Sequence, residues 1–141
     1  MLDIVEHEKI DITEIESRML MEKQVEIPVD HIFMGGVYIR QITLPAGTLA
    51  VGKRHRKETC NMILKGKVIV YMTDGSEQIV ESPHVFVSEP YIKKMCYALE
   101  DTVFVNIHPT DKTDLEEIEK DFIISENEFE EITNRGEIWL G

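Results

Sequence analysis

The stretch TVFVNIH, residues 102–108, decides the fold class of this 141-residue chain. Its small and β-branched residues alternate with other side chains, which is the pattern of a β-strand. Alternate residues of a strand face opposite ways, so Phe104, Asn106 and His108 share one face. The stretch therefore predicts a strand that presents both apolar and polar groups to the same side.

Runs of the same kind surround this strand on its N-terminal side. VEIPVDHIF, GVYIRQITL, NMILKGKVIVYM, EQIV and HVFV all lie between Val25 and His108. Asp74-Gly75 stands between two of these runs and is a strong hairpin signal, and Gly47 and Gly66 mark further turns. Since no helical pattern intervenes, we predict six or more strands in an antiparallel sandwich or barrel.

Helical patterns flank this β-rich region. Asp11 and Thr13 are candidate N-caps, and Ile15, Met19 and Leu20 follow on a helical period. They predict a short N-terminal helix. We divide the chain into a helical arm over 1–24, a barrel over 25–110 and a helical extension over 111–141.

The extension contains two capping-box patterns, residues 113–116 (TDLE) and 125–128 (SENE), each of which predicts the start of a short helix. The apolar residues of the two helices could pack on the barrel or on a second subunit; they are Leu115, Ile118 and Phe122 in the first and Phe129 and Ile132 in the second. Trp139 is expected to dock somewhere, because an exposed indole leaves a large apolar area in water.

Composition excludes several classes of protein. The chain is 43% apolar and 30% charged, and no apolar run approaches the roughly 18 residues of a membrane span. The opening MLDIVEHEKI is acidic where a secretory signal is basic and then apolar. Two cysteines, Cys60 and Cys96, cannot form a disulfide framework. We expect a cytoplasmic protein with no membrane partner.

The net charge of −12 is concentrated at the two ends. The acidic arms, interpreted as solvated helix surface, flank a neutral middle with basic spots at residues 52–57 (GKRHRK) and at Lys93-Lys94. A duplex-binding protein needs a broad basic face, and a chain this negative repels phosphate backbones. No nucleic acid partner is expected.

Residues 31–110 resemble a cupin, a small β-barrel of the jelly-roll kind. The resemblance rests on HIFMGGVYIRQITLPAGTLAVGKRH, NMILKG, SPHVFVSEP and YALEDTVFVNIHPT. Within that superfamily the chain looks like short cupins encoded by phages and prophages. The resemblance implies a mainly β fold with a single cupin barrel, and cupins commonly pair through their sheets, so it also implies a homodimer or larger homo-oligomer.

The cupin metal pattern is not carried over intact. With Gly66 as anchor, its first ligand places fall on Lys53, His55 and Thr59, and the later histidine place falls near Lys94. An ordinary lysine is protonated and offers no lone pair to a metal. No cofactor is therefore favoured; if a divalent metal binds, His55 with His31 or His108 is the remaining set.

The same positions suit an anion instead. By strand alternation Lys53, His55, Thr59 and Asn61 share a parity and could line one wall, and so do Tyr38 and Arg40. Arginine offers a planar fork to phosphate or carboxylate, and lysine a point charge. The predicted ligand-binding residues are Tyr38, Arg40, Lys53, His55, Asn61, Lys94 and His108.

Structural roles are the alternatives for these residues. Arg40 and Lys94 could be paired with Glu100 or Asp101, and His108 could bond the start of the following helix. His55 could be a satisfied barrel histidine or a rim residue, and His31 and Asn61 could tie down loops. Arg54 and Arg56, on the opposite parity, are expected at the surface or in an interface.

Three functions follow as hypotheses. The leading one is a non-catalytic or weakly catalytic cupin that binds a small anion, nucleotide-like or sugar-phosphate, in the barrel mouth, with sequestration of a host metabolite by a phage as one use. The second is a metal-dependent oxygenase, isomerase or lyase with a rearranged histidine site. The third is an assembly module whose barrel is filled with side chains. Cysteine catalysis is disfavoured because neither thiol has an evident base.

Overall fold

The computed structural model describes residues 11–134, in which two antiparallel sheets pack against each other and carry three short helices. The strands are β1 (Val29–Met34), β2 (Val37–Leu44), β3 (Leu49–Val51), β4 (Thr59–Lys65), β5 (Lys67–Met72), β6 (Glu77–Glu81), β7 (His84–Ser88), β8 (Lys94–Ala98) and β9 (Thr102–Pro109). The helices are α1 (Ile12–Met19), α2 (Leu115–Phe122) and α3 (Glu126–Asn134).

The nine strands in residues 11–134 form two sheets that enclose a hydrophobic core. One sheet has the order β1-β2-β9-β4-β7 and the other β3-β8-β5-β6. Ile63 and Phe104 of the first sheet pack with Val68, Val70 and Val80 of the second, and these five buried residues form the hydrophobic core. The mainly β barrel predicted from the sequence is confirmed, with one short helix before it and two after it.

The hairpin predicted at Asp74-Gly75 joins β5 to β6, which pair antiparallel. Gly75 has a φ of 86°, a value that residues with a Cβ rarely adopt. The backbone amide of Ser76 donates to the Asp74 carboxylate at 2.8 Å. Asp74 and Gly75, the residues from which the hairpin was predicted, therefore form the turn.

The helix caps agree with the sequence in two cases of three. Asp11 caps α1 by accepting from the amide of Glu14, and the Ser125 hydroxyl accepts from the amide of Glu128 at the start of α3. The capping box expected over residues 113–116 is wrong in its first member, since the cap of α2 is Asp114, which accepts from the amide of Glu116. Threonine and aspartate are both favoured at N-caps, and in this chain Asp114, the residue directly before the helix, is the cap.

Helix α2 packs on the barrel. Its Ile118 and Phe122 are buried against Tyr38 of β2, so this helix covers one end of the barrel. None of the helices in residues 11–134 is long and apolar enough to cross a membrane. His7 and Trp139 lie outside the described residues. The predicted docking of the Trp139 indole lies outside them as well.

Ion pairs tie the other helices to the barrel. Lys93, only 4% exposed, lies 2.9 Å from both Glu16 of α1 and Glu126 of α3. Arg54 also pairs with Glu126, at 3.3 Å, and its guanidinium lies 3.8 Å from the centre of the Phe129 ring. The expectation of a surface or interface position is wrong for Arg54, which is buried.

Arg56, in contrast, is only partly buried and binds Glu128 of α3 at 2.7 Å. The sequence analysis overlooked these pairs because the partners are about 70 residues away. Part of the acidic C-terminal arm therefore neutralises basic side chains of the barrel.

Gly66 joins β4 to β5, where the chain passes from one sheet to the other. Its φ is 94°, and a Cβ added there would overlap the carbonyl oxygen of Asp101 and the hydroxyl of Thr102. We predict that Gly66→Ala lowers the free energy of unfolding by about 3 kcal/mol, since backbone strain and overpacking add. Urea unfolding monitored by circular dichroism measures this loss.

Gly35→Ala is the matched control, because nothing lies within 4 Å of a Cβ at Gly35 and its φ is not positive. We expect the control to change stability by less than about 0.5 kcal/mol. Equal losses in the two variants would contradict the steric explanation.

Candidate functional site

The inward residues of β2 and β9 form the wall of an internal cavity. In the antiparallel register Tyr38 lies opposite His108, and Arg40 lies opposite Asn106. All four side chains line the cavity, as strand alternation predicted for each strand separately. The strand pairing adds what alternation alone does not give, which is the level at which residues of different strands meet.

The cavity has a volume of about 480 Å³ and lies between the two sheets under α2. All seven predicted ligand-binding residues and His31 are among those that line it. Thr59 shares the parity of Asn61 but is buried and does not line the cavity. The interior therefore contains an open cavity. The hypothesis of an assembly module, in contrast, expects a barrel filled with side chains.

Arg40 and Lys94 are the cations inside the cavity. No carboxylate among residues 11–134 forms an ion pair with either of them. The predicted alternative of a pair with Asp101 is not seen, since that carboxylate accepts from the backbone amide of Ala46. Both positive charges are thus free to act on a molecule in the cavity.

Lys94 is held in place by neutral groups. Its ammonium donates to the hydroxyl of Ser88 and lies 4.8 Å from the centre of the Phe86 ring. Burial lowers the pKa of Lys94. An ammonium that is partly desolvated and paired with no anion is the state in which an added anion gains most.

Lys53 stands at the rim. Its ammonium lies 2.6 Å from the Glu119 carboxylate of α2, and its side chain is 63% exposed. This cation is compensated and solvated, which distinguishes it from Arg40 and Lys94. Its main effect in this position is to join the strand segment before His55 to the helix over the cavity.

Two imidazoles face each other at the covered end. The rings of His55 and His108 are 5.3 Å apart, and the ring of Phe122 lies 4.8 Å from that of His108. Burial, with smaller effects of the nearby His108, Lys94 and Arg40, lowers the pKa of His55 to about 4. Burial, with Arg40, also lowers the pKa of His108.

His108 has a polar atom without a partner. Its Nδ1 is buried and makes no hydrogen bond to any described residue, and the residue is 4% exposed. The predicted role of bonding the following helix is thus not seen at this atom. A buried polar group that lacks a partner is costly, and a ligand in the cavity is one way to supply that partner.

Asn61 and Asn106 form a fixed amide pair in the cavity wall. Asn106 donates to the side-chain oxygen of Asn61 at 2.7 Å, and Asn61 donates to the Ser88 hydroxyl at 2.7 Å and to the carbonyl of Thr59 at 3.0 Å. Asn61 therefore ties strands together and lines the cavity at the same time. Its donors are occupied, so the pair acts as a rigid polar wall.

His31 and Tyr38 are joined by a hydrogen bond of 2.7 Å between Nδ1 and the phenol oxygen. The Tyr38 ring is stacked with His31 and with His108, at 5.9 Å from each. Burial raises the pKa of Tyr38. The phenol therefore stands between His31 and His108, which keeps the three histidines from meeting at one point.

A metal centre does not fit the donors that the cavity offers. No group of three or more His, Cys, Asp or Glu residues within 11–134 is arranged to hold a metal ion. His55 and His108 are close, but the positive charges of Arg40 and Lys94 act on the same place and repel a metal ion. The Cys96 thiol lines the cavity as well, but burial raises its pKa to about 11.

The apolar part of the cavity is what sequence reasoning missed. It comprises Ile27, Val29, Ile42, Leu44, Ala50, Val51, Phe104, Leu115, Ile118, Phe122 and Ile123. Extending the alternation that links Tyr38 to Arg40 would have found Ile42 and Leu44. The contribution of α2 carries no comparable signal, because the sequence does not say on which surface the helix lands.

Comparisons with known proteins identify the fold. No protein-family model matches the chain, and no curated protein matches it in sequence. Among solved structures, a cupin superfamily protein from Desulfitobacterium hafniense has 12% identity and a TM-score of 0.52, over 64% of this chain and 83% of its own. An RmlC-like cupin from Methanocaldococcus jannaschii has 16% identity and a TM-score of 0.51, over 61% and 82%.

An ectoine synthase from P. lautus is similar at the same level, with 10% identity and a TM-score of 0.55 over 71% of this chain and 75% of its own. At these identities the likeness concerns the fold alone, and one fold supports many functions. The two sheets, their strand order and these neighbours together show that the chain has the cupin jelly-roll fold.

Proposed function

We propose that this chain binds a small organic anion in the cavity between its sheets, as a binding protein without a catalytic step. The observation that carries the proposal is the pair of cations, Arg40 and Lys94, which face the cavity with no carboxylate partner among the described residues. Keeping charges partly buried and unpaired costs free energy, and an anion between them offsets that cost. In a phage-encoded cytoplasmic protein such binding would withdraw a host metabolite.

The cavity contains the further groups that an anion site needs. The unpartnered Nδ1 of His108 and the phenol of Tyr38 lie at the end nearer α2, and the amides of Asn61 and Asn106 form a rigid wall beside Arg40. Fixed polar groups around a pair of cations select ligands by shape as well as by charge. Both a phosphate and a carboxylate satisfy this pair of cations.

The imidazoles enter this proposal as neutral groups. With its pKa lowered to about 4, His55 carries no charge at neutral pH in the folded protein, and the pKa of His108 is lowered as well. The positive charge that attracts the anion therefore comes from Arg40 and Lys94. The imidazoles contribute ring surface and one hydrogen bond each.

We also propose that the chain self-associates through the outer face of the five-stranded sheet. Of the outward residues on β1, β2, β9, β4 and β7, two are charged: Asp30 near the start of β1, and Lys65 at the end of β4, where a bulge places it opposite the outward Val103. The others are Ile32, Met34, Val37, Ile39, Gln41, Thr43, Val103, Val105, Ile107, Pro109, Cys60, Met62, Leu64, Val85 and Val87.

A second copy of the chain is the occupant that this face favours. Ile32, Ile39, Ile107, Cys60 and Val87 lie in register across all five strands and make a continuous apolar stripe. Contiguous apolar patches of this kind mark interaction surfaces. Two copies with a net charge of −12 each repel one another least where they meet on a face with few charges, and a twofold contact matches the stripe with itself.

The anion-binding proposal predicts that Arg40→Met and Lys94→Met each weaken binding of anions at least tenfold. A panel of organic phosphates and carboxylates is screened by the rise in melting temperature and quantified by calorimetry. Lys23→Met and Arg18→Met remove exposed cations outside the cavity and should leave affinity unchanged. Lys94→Met should be as stable as the original chain, because it removes an unpaired, partly buried charge.

Two results would contradict the anion site. One is the absence of any melting shift at about 10 mM of every anion tested. The other is stoichiometric iron, manganese, nickel or zinc in the purified protein by elemental analysis, which would favour the metal-dependent enzyme instead.

The lowered histidine pKa values predict that stability falls in mild acid. Between about pH 6.5 and pH 4 the unfolded chain binds a proton at His55 and the folded chain does not, so the free energy of unfolding falls as the pH falls. We expect His55 to contribute about 1–2 kcal/mol of loss between pH 7.5 and pH 5. Urea unfolding at the two pH values should show a smaller difference for His55→Gln, with His84→Gln as the control. Identical differences in all three proteins would refute the assignment.

The self-association proposal predicts that Val87→Lys shifts the chain toward a monomer, because a twofold contact buries two new charges. Sedimentation equilibrium measures the dissociation constant, which should rise at least tenfold. Ile79→Lys is the matched control, since Ile79 is 61% exposed on β6 of the other sheet and Val87 is 59% exposed. A monomeric original chain at about 100 µM, or equal effects of the two lysines, would disprove this interface.

A further inference from the structure

Polarity changes in bands across the inner face of the five-stranded sheet. Along β2 the inward residues are a phenol at Tyr38, a guanidinium at Arg40 and then alkyl groups at Ile42 and Leu44. The paired positions on β9 follow the same order, with Asn106 opposite Arg40 and Phe104 opposite Ile42. One step along the strands therefore leads from a charged band to an apolar one.

The neighbouring edge strand continues both bands. On β1, His31 lies opposite Arg40, and Val29 lies opposite Ile42. Ile27 extends the apolar band beyond the end of the strand and also lines the cavity. Since each band runs across three strands, the division belongs to the wall as a whole.

The opposite sheet shows the same division. On β8, Lys94 is followed two residues later by Cys96, which lies opposite Ala50 of β3. Ala50, Val51 and Cys96 all line the cavity, and burial keeps the thiol of Cys96 protonated by raising its pKa to about 11. Lys94 lies over the ring of Phe86, which is in register through Asn61 and Asn106 with Arg40, so the two cations lie at one level of the cavity. Cys96 packs with Ile42 against the cluster that contains Phe104, so apolar groups from both sheets form the adjoining level.

The apolar level excludes ligands that carry polar groups along their whole length. A hydroxyl moved from water to such surroundings without a partner costs about 1–3 kcal/mol by protein mutational data. The side chains at this level, including Val29, Ile42 and Phe104, offer no hydrogen bond. A sugar phosphate places several hydroxyls within a few ångströms of its anionic group, so some of them would face these side chains.

From this division we infer that the ligand is a small organic monocarboxylate with an apolar body. The inference rests on the anion site proposed above and specifies its ligand class. The carboxylate lies between Arg40 and Lys94, where the planar guanidinium fork matches its two oxygens. The body lies against Val29, Ile42 and Phe104, where burial of apolar surface supplies affinity.

A carboxylate needs fewer donors at this level than a phosphate does. A phosphate monoester carries nearly two charges near neutral pH and needs donors around three oxygens. The Asn61 donors are already bonded to Ser88 and Thr59, and Asn106 donates to Asn61. The donors that remain at this level belong to Arg40, to Lys94 and to the second amide hydrogen of Asn106, and the guanidinium fork matches the two oxygens of a carboxylate.

Calorimetry on the full chain with five probes tests the inference. 3-Phenylpropanoate has both parts, 3-phenylpropanamide lacks the charge at nearly the same shape, and propanoate lacks the body. Glucose 6-phosphate and AMP represent the phosphate classes. We expect 3-phenylpropanoate to bind at least tenfold more tightly than each of the other four.

Two variants separate the head of the ligand from its body. Arg40→Met should weaken 3-phenylpropanoate at least tenfold. Val29→Asn places an amide in the apolar level, opposite Ile42, and should weaken the same probe at least fivefold. Val25→Asn is the control for the second variant, because Val25 is 59% exposed and lies outside the cavity lining.

Different results would contradict the anion site and the inferred ligand class. Tighter binding of glucose 6-phosphate or AMP, lost in Arg40→Met, would overturn the inferred ligand class and leave the anion site standing. Binding of the amide as tight as that of the carboxylate would overturn both, and so would no binding of any probe at about 10 mM. Equal affinity of the Val29→Asn and Val25→Asn variants would overturn the placement of the body.

Discussion

The antiparallel register of β2 between β1 and β9 is the constraint on which the other features depend. Because side chains alternate along each strand, one register sends Tyr38, Arg40 and Ile42 inward and Val37, Ile39 and Gln41 outward. A slip by one residue would place Arg40 on the apolar outer face and remove the cation from the cavity. The interior site and the exterior with few charges are therefore two sides of the same pairing.

The two buried cations outside the cavity, Lys93 and Arg54, are paired with carboxylates, in contrast to Arg40 and Lys94. Lys93 is more buried than its neighbour Lys94 and is paired with Glu16 and Glu126. Arg54 is paired with Glu126 as well. Acidic residues outnumber basic ones by 27 to 15, so partners for cations are abundant. Leaving two cations unpaired in a cavity is thus a local property of the fold, and its cost in stability is what a bound anion recovers.

The sequence was sufficient for features that depend on neighbours along the chain. Alternation gave the shared faces of Tyr38 with Arg40 and of Asn106 with His108, and the Asp74-Gly75 pair gave a hairpin. It was insufficient where the partner lies far away. The pairing of Arg54 with Glu126 and the covering of the cavity by Phe122 depend on where α2 and α3 pack, and no local pattern encodes that position. The cap at Asp114 was misjudged because two adjacent residues suit the same role.

The two levels of the cavity divide the work of recognition between different forces. Apolar contact with Ile42 and Phe104 adds affinity in proportion to area but discriminates poorly between ligands of similar size. The cations discriminate, because a neutral ligand beside Arg40 and Lys94 leaves both charges unpaired and partly desolvated. Affinity for the body and selection by the head therefore act together only in a ligand that carries one anionic group at the end of an apolar skeleton. For the ligand class that we propose, that requirement follows from the order of side chains along β2 and β8.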